Sequence, residues 1–187
     1  MTFSNKIAEL KNKGFFENLV ITRGIEKESL RVTEDGFLSQ TKHPKGLGSP
    51  LTNKYITTDF SEALVELVTP TFNNINDVYE FLLDLHIFTG KAMKPDEVLW
   101  TNSMPCFIAD ESEIRIAEFG SSNIGRLKNI YRKGLRVRYG SIMQCVAGIH
   151  YNFSIDDNSL ANFTGSLNKD TKSCLLYTSP SPRDLVI

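Results

Sequence analysis

Glu26 and Glu28 stand one residue apart in the stretch GIEKESLRV, residues 24 to 32. Side chains alternate faces along a strand, so both acids share a face with Leu30 and Val32. Ile25, Lys27, Ser29 and Arg31 take the other. Glu66 repeats the pattern in ALVELV, where it shares a face with Leu64 and Val68, away from Val65 and Leu67. A third segment, AGIHYNFSI, puts His150 and Asn152 on one face, with Ala147, Ile149, Tyr151 and Phe153 on the other. A carboxylate set among core-type neighbours is costly unless cations, hydrogen bonds or metals compensate it. Acids joined by a histidine and an asparagine suit a hard divalent ion. Mg²⁺ prefers carboxylate oxygen and often bridges to substrate phosphates. A plainer reading competes: alternating acids also describe the solvated face of an antiparallel sheet. A lone histidine such as His150 is commonly structural, and Asp59 in TTDF suits turn capping as well as chemistry. Recurrence in three segments favours a cation site but names no reaction.

Other residue types add less. Arg126, Lys128, Arg132, Lys133, Arg136 and Arg138 crowd the stretch 124 to 138. A solvated basic face explains any one of them; the functional reading has one or two gripping an anionic substrate group, which the planar arginine fork does well. The glycines at 46 and 48 form neither GxxxxGK[ST] nor GxGxxG, so any nucleotide is held through metals instead. Cys106 reads as a core thiol rather than a nucleophile.

The elements that must position these residues can be read from periodicity. Ile7 and Leu10 fit a short first helix, with Ser4 as a cap and Gly14 as a stop. Strand-like runs flank Asp35-Gly36, a hairpin signal. HPKGLGSP, residues 43 to 50, is a loop. YITTDF and ALVELVTP read as extended, though SEALVEL alone suits a helix equally well. Asn74 or Asn76 caps a helix to about Met93, since Val78, Phe81, Leu82 and Leu85 recur at helical spacing. Asn123 caps another, predicted to turn Ile124, Leu127, Ile130, Tyr131 and Leu135 inward and to end at Gly140. SIMQCVAGIHYNFSI reads as a last strand. Strands and helices mix without βαβ alternation, which gives an α+β class with an antiparallel sheet.

Composition sets bounds. The chain has 187 residues and a formal net charge of −1. That length supports one domain with a real core, and the charge supports neither nucleic-acid nor membrane-surface binding. No apolar run approaches a membrane span, and the N-terminus lacks a signal-peptide hydrophobic block. Three scattered cysteines, Cys106, Cys145 and Cys174, show no metal or redox spacing and suggest reduced thiols in the cytoplasm. The tail CLLYTSPSPRDLVI has no clear period, and LLYTSPSPRD resembles translated sequencing-adapter read-through. The expected organisation is therefore a native part, residues 1–173, and a non-native tail, residues 174–187.

Together, RGIEKESLRV, HPKGLGSPLTNKYITTDFSEALVELVTP, SMPCFI, GSSNIGRLKNIYRKGLRVRYG and MQCVAGIHYNFS resemble bacterial glutamate–cysteine ligase of the one-chain proteobacterial type, in order and with matching gaps over about residues 15 to 155. The resemblance implies a glutamine-synthetase-like ligase fold, with the active site in a cavity over a curved antiparallel sheet flanked by helices. It implies ATP-dependent ligation of glutamate to cysteine through γ-glutamyl phosphate, the first step of glutathione synthesis. Mg²⁺, or Mn²⁺ in its place, would serve with ATP as co-substrate. By likeness Glu26, Glu28, Glu66 and His150 would be metal ligands, with Asp59 and Asn152 beside metals and phosphates. Phe60, Tyr131 and Arg132 would shape the cysteine side, and Gln144 would lie near glutamate. Family members are much longer, so the chain reads as a truncated N-terminal part, inactive alone. Two alternatives stand beside this: a glutamate ligase using another amine, and a small non-catalytic metal-binding domain.

Overall fold

A computed structural model describes residues 2–17 and 19–159. The tail from 174 onward, Cys174 included, lies outside the described residues. The chain divides into two compact units, Met1–Thr22 with Phe153–Ile187, and Arg23–Asn152. Within the described residues of the first, helix α1 (Phe3–Asn12) is capped by Thr2, whose hydroxyl accepts from the Asn5 N–H, two residues before the predicted Ser4. Gly14 follows at φ 66°. In the same unit the Val20 N–H donates to Ser159 Oγ at 3.0 Å and the Asp156 N–H to the Val20 carbonyl at 3.1 Å.

The second unit holds most of the sheet. Its long strand β1 (Ile21–Thr33) pairs antiparallel with β3 (Leu64–Val68) and with β4 (Glu97–Leu99), and β3 pairs antiparallel with β2 (Ile56–Thr58). β5 (Ile149–Ile155) also pairs with β1. The predicted hairpin forms: Gly36 takes φ 83°, and Val32 bridges to Leu38. The 43–50 loop contains a short 3-10 turn, Lys45–Leu47. The last strand is shorter than predicted, because Ile142–Cys145 coils into a 3-10 turn and pairing starts at Ile149. Cys145, buried completely, packs into the core from that turn.

Each sheet face has its own cover. Val65 and Leu67 pack with Leu47, Ile56 and Leu85 beneath helix α2 (Ile75–Ala92), whose Asn74 cap was legible in the sequence. Leu30, Val32 and Leu64 join Leu38, Phe60, Ala63, Cys106, Ile114, Cys145 and Ala147 on the opposite face. Burying such side chains contributes roughly 1.5–3 kcal/mol each. Arg31, on the α2 side of β1, is fully buried. Its guanidinium donates to both Glu97 carboxylate oxygens at 3.2 Å and to the carbonyls of Thr41 and Glu62 at 2.9 and 3.0 Å.

Helix α3 (Asn123–Tyr139) runs where the periodicity put it, capped by Ser122 rather than Asn123 and ended by Gly140 at φ 77°. Its orientation differs from the expectation. Ile124, Leu127, Ile130 and Tyr131 are 64%, 66%, 64% and 64% exposed, and of the predicted inward set Leu135 alone packs against the core. The inner face is polar because hydrogen bonds anchor it. Asn129 donates to the Ala117 carbonyl at 3.0 Å, and Arg132 reaches Asp59. Gly125 passes so close to the Phe119 carbonyl that a Cβ there would collide with it. A glycine and two hydrogen-bonding side chains set the face that touches the protein, and apolar periodicity carries no trace of that.

Candidate active site

The parity reading of the strands holds. β1 and β3 align Leu30 with Leu64, Glu28 with Glu66 and Glu26 with Val68. The apolar core face therefore runs straight into a pair of glutamates directly opposite each other. Like charges in that relation destabilise a sheet. Nothing in strand pairing alone favours this, so its compensation has to be sought nearby.

Part of it comes from β5 and the turn before it. His150 Nδ1–H donates to Glu26 Oε2 at 3.3 Å, and Asn152 Nδ2 donates to Glu26 Oε1 at 3.1 Å. The Gly148 N–H donates to Glu28 Oε2 at 2.7 Å, while the Glu28 N–H donates back to the Gly148 carbonyl at 3.0 Å. No described residue donates a hydrogen bond to the Glu66 carboxylate. Burial, then Asp59, Glu28 and Glu26, push the Glu66 carboxyl up from its ordinary range to about 7. Glu28 is raised too, chiefly by burial, against the Gly148 N–H that favours its charged form. These mutual effects put Glu26, Glu28, Glu66, Asp59 and His150 within electrostatic reach of one another.

Asp59 closes the group from the end of β2. Arg132 Nη2 lies 3.6 Å from Asp59 Oδ1, and Arg132 Nε–H donates to the Asp59 carbonyl. The guanidinium stacks 4.5 Å from the centre of the Phe119 ring, which fixes its approach. One helix cation thus meets a cluster of four carboxylates.

The other predicted residues divide. Tyr131 is exposed on α3, next to Arg132. Gln144 is half-buried in the 3-10 turn before β5. Phe60, next to Asp59, is 1% exposed and its ring packs in the core cluster. Cys106 is a buried core thiol raised by burial, and Cys145 is pushed up to about 12, so neither is an activated nucleophile. Sequence reasoning missed Gly148 and Phe119. No spacing marks them, because one acts through its backbone and the other through its ring face.

By residue type, the donors are those that hard divalent cations take. Carboxylate oxygens from two strands face an imidazole whose Nδ1 is engaged by Glu26, which leaves the Nε2 lone pair outward, the usual orientation of a metal-ligating histidine. A Cβ on Gly148 would come within 3.3 Å of His150 Nε2 and 3.6 Å of Glu28 Oε2. The absence of a side chain there keeps the gap between those donors clear. The cluster is loose: among the described residues no three His, Cys, Asp or Glu side chains are already drawn together tightly enough to hold one ion.

The model of the glutamate–cysteine ligase family matches residues 6–179. This chain belongs to the glutamate–cysteine ligase family. Glutamate–cysteine ligase of Alcanivorax borkumensis is 57% identical over 137 residues, which is 73% of this chain and 26% of that protein. The Yersinia pseudotuberculosis ligase is 53% identical over 135 residues, 72% of this chain and 26% of the relative. The chain thus spans about a quarter of the length of the curated relatives it matches. Among solved structures, the Francisella tularensis glutamate–cysteine ligase in complex with AMP superposes with a TM-score of 0.78 at 45% identity, covering 85% of this chain and 32% of that one. A bifunctional glutathione synthetase from Pasteurella multocida gives 0.76 at 30% identity, covering 88% and 21%. The α+β, antiparallel-sheet architecture expected from the sequence is the ligase architecture of these neighbours.

Proposed function

We propose that this chain carries the cation-binding sheet face of an ATP-dependent ligase that joins the γ-carboxylate of L-glutamate to the amine of L-cysteine. The observation that supports it most is the Glu28–Glu66 pair, like charges set directly opposite where the apolar core face of the sheet ends, and left without a protein cation between them. A fold does not keep such a pair for stability.

In the proposed reaction a γ-carboxylate oxygen of glutamate attacks the γ-phosphorus of ATP. The bond to the β–γ bridging oxygen breaks, and ADP leaves. The cysteine amine then attacks the acyl carbon of γ-glutamyl phosphate, phosphate departs with the former carboxylate oxygen, and the nitrogen loses a proton. Mg²⁺, or Mn²⁺ in its place, would neutralise charge on the phosphates. Glu26, Glu28, Glu66 and His150 would hold it. His150 keeps Nε2 outward because Glu26 engages Nδ1. Asp59 and Asn152 lie beside these residues and would face the phosphates. Arg132, held by Asp59 and Phe119, presents a fixed guanidinium at the edge of the acid cluster, suited to a substrate carboxylate. Tyr131 next to it and Phe60 beneath would bound the cysteine side, and Gln144 the glutamate side. ATP use with reduced thiols implies a cytoplasmic setting. Among the described residues no helix is long and apolar enough to cross a membrane.

A chimera tests this reading. Residues 23–152 replace the matching segment of the Yersinia pseudotuberculosis ligase, and γ-glutamylcysteine formation is followed by mass spectrometry. The chimera should form product only with ATP, glutamate, cysteine and Mg²⁺ all present. Glu26→Gln within it should keep the fold and lower kcat by roughly 100-fold or more, as loss of a charge serving phosphoryl transfer does. A well-folded chimera that forms no product, or a Glu26→Gln variant with near-normal kcat at saturating Mg²⁺, would defeat the proposal.

A further inference from the structure

Resting on the cation-site reading above, we propose that Gly148 is a positioning residue of that site. Its N–H fixes the Glu28 carboxylate, and its lack of a side chain keeps the Glu28–His150 gap open. The geometry is reciprocal. Gly148 donates to Glu28 Oε2 at 2.7 Å and accepts from the Glu28 N–H at 3.0 Å. Backbone and side chain of one glutamate are therefore both tied to one glycine. With Oε2 anchored in this way, the remaining lone pairs of the carboxylate are pre-oriented rather than free to rotate.

The need for glycine at this position is spatial, not conformational. Gly148 is not among the glycines with positive φ, so its backbone is one that other residues adopt. What crowds a side chain there is the neighbourhood. A Cβ would lie 3.3 Å from His150 Nε2, 3.8 Å from His150 Cε1 and 3.6 Å from Glu28 Oε2. A methyl would thus press on the ring nitrogen that faces away from Glu26, and a branched side chain would fill the gap. The same residue has no reason to be glycine for packing, since it is only half-buried just before β5.

The test uses the 187-residue chain with Mn²⁺ as probe. Free Mn²⁺ is followed by electron paramagnetic resonance, and thermal unfolding is recorded in EDTA. Gly148→Ala should leave the EDTA melting temperature near that of the unsubstituted chain, because the backbone conformation tolerates alanine. It should weaken Mn²⁺ binding by about tenfold, within the range seen when outer-shell partners of a metal site are lost. Gly148→Val should weaken it further; if that variant does not fold, the alanine variant alone decides. Mn²⁺ affinity within twofold of the unsubstituted chain in Gly148→Ala would overturn the role of Gly148 while leaving the cation site standing. So would a drop in the EDTA melting temperature with affinity preserved, which marks a packing role. Failure of the unsubstituted chain to bind Mn²⁺, with Glu28→Gln behaving identically, would overturn both the positioning role and the cation reading beneath it.

Discussion

Arg31 and Glu28 stand three residues apart on β1 and point to opposite faces of the sheet. At Arg31 the charge is closed on itself. The guanidinium is fully buried, Glu97 answers it at 3.2 Å, and Ser39, Thr41 and two carbonyls take up the other donors and acceptors of the pair except Arg31 Nε–H, which has no partner among the described residues. At Glu28 the charge stays open. Its cross-strand partner is another glutamate, the Arg132 guanidinium is held at the cluster's edge by Asp59, and the carboxyl of Glu66 rises to about 7. A fold built only for stability would treat both faces in the first way. One strand carrying both arrangements separates charge that holds the protein together from charge kept available for something else.

Breaking the closed side should have the larger effect. Arg31→Met leaves Glu97 buried without its cation, and orphaning one member of a buried pair costs about 3–5 kcal/mol. Chemical denaturation should show a loss of that size. Arg31→Met combined with Glu97→Leu should recover much of it, because the uncompensated charge is then gone. A single variant as stable as the unsubstituted chain would show that the pair is not the closed unit described.

The closed side should also set an acid limit. Burial pushes the Glu97 carboxyl up, but the Ser39 and Thr41 hydroxyls and the Arg31 guanidinium outweigh it and hold the group below its ordinary 4.5. A depressed carboxyl contributes stability above the unfolded pKa and loses it as pH falls through the folded one. Melting temperature should therefore fall steeply below about pH 4.5. Glu97→Gln should be less stable at neutral pH but show a shallower acid slope; parallel slopes would exclude Glu97 as the group responsible.

On the open side the sign reverses. A raised carboxyl loses stability as pH climbs from the unfolded pKa toward the folded one, here from 4.5 to about 7. Glu66→Gln should therefore stabilise the chain in EDTA at pH 8, by roughly 0.5–1 kcal/mol once solvent screening of a half-exposed group is allowed for. At pH 5 the gain should vanish, and saturating Mg²⁺ should reverse it by stabilising only the unsubstituted chain. Destabilisation at pH 8 in EDTA would mean that Glu66 is already compensated.

The two faces were unequally legible in the sequence. Strand parity placed Glu26, Glu28 and Glu66 on one face with Leu30 and Leu64, and paired His150 with Asn152, because a period of two is local information. The closed network went unseen: Arg31 and Glu97 are far apart in sequence, and an arginine in a strand reads as solvated until its partners are known. Helix α3 was placed correctly and turned wrongly. Its apolar residues mark a stripe, but Gly125, Asn129 and Arg132 decide which stripe meets the sheet, through contacts to Phe119, Ala117 and Asp59. Those are carbonyls and a ring on another segment, and no periodicity encodes them.

On this reading the open face of β1 attracts a divalent cation and the closed face does not. Paramagnetic broadening of amide signals on adding substoichiometric Mn²⁺ to the 187-residue chain tests it most directly. Selective loss of the Glu26, Glu28, Glu66, Gly148 and His150 amides is expected, with those of Ser39, Thr41, Met93 and Glu97 preserved. Uniform broadening, or broadening centred on the acids outside this group, would contradict it and leave the alternating glutamates as the solvated face of a sheet.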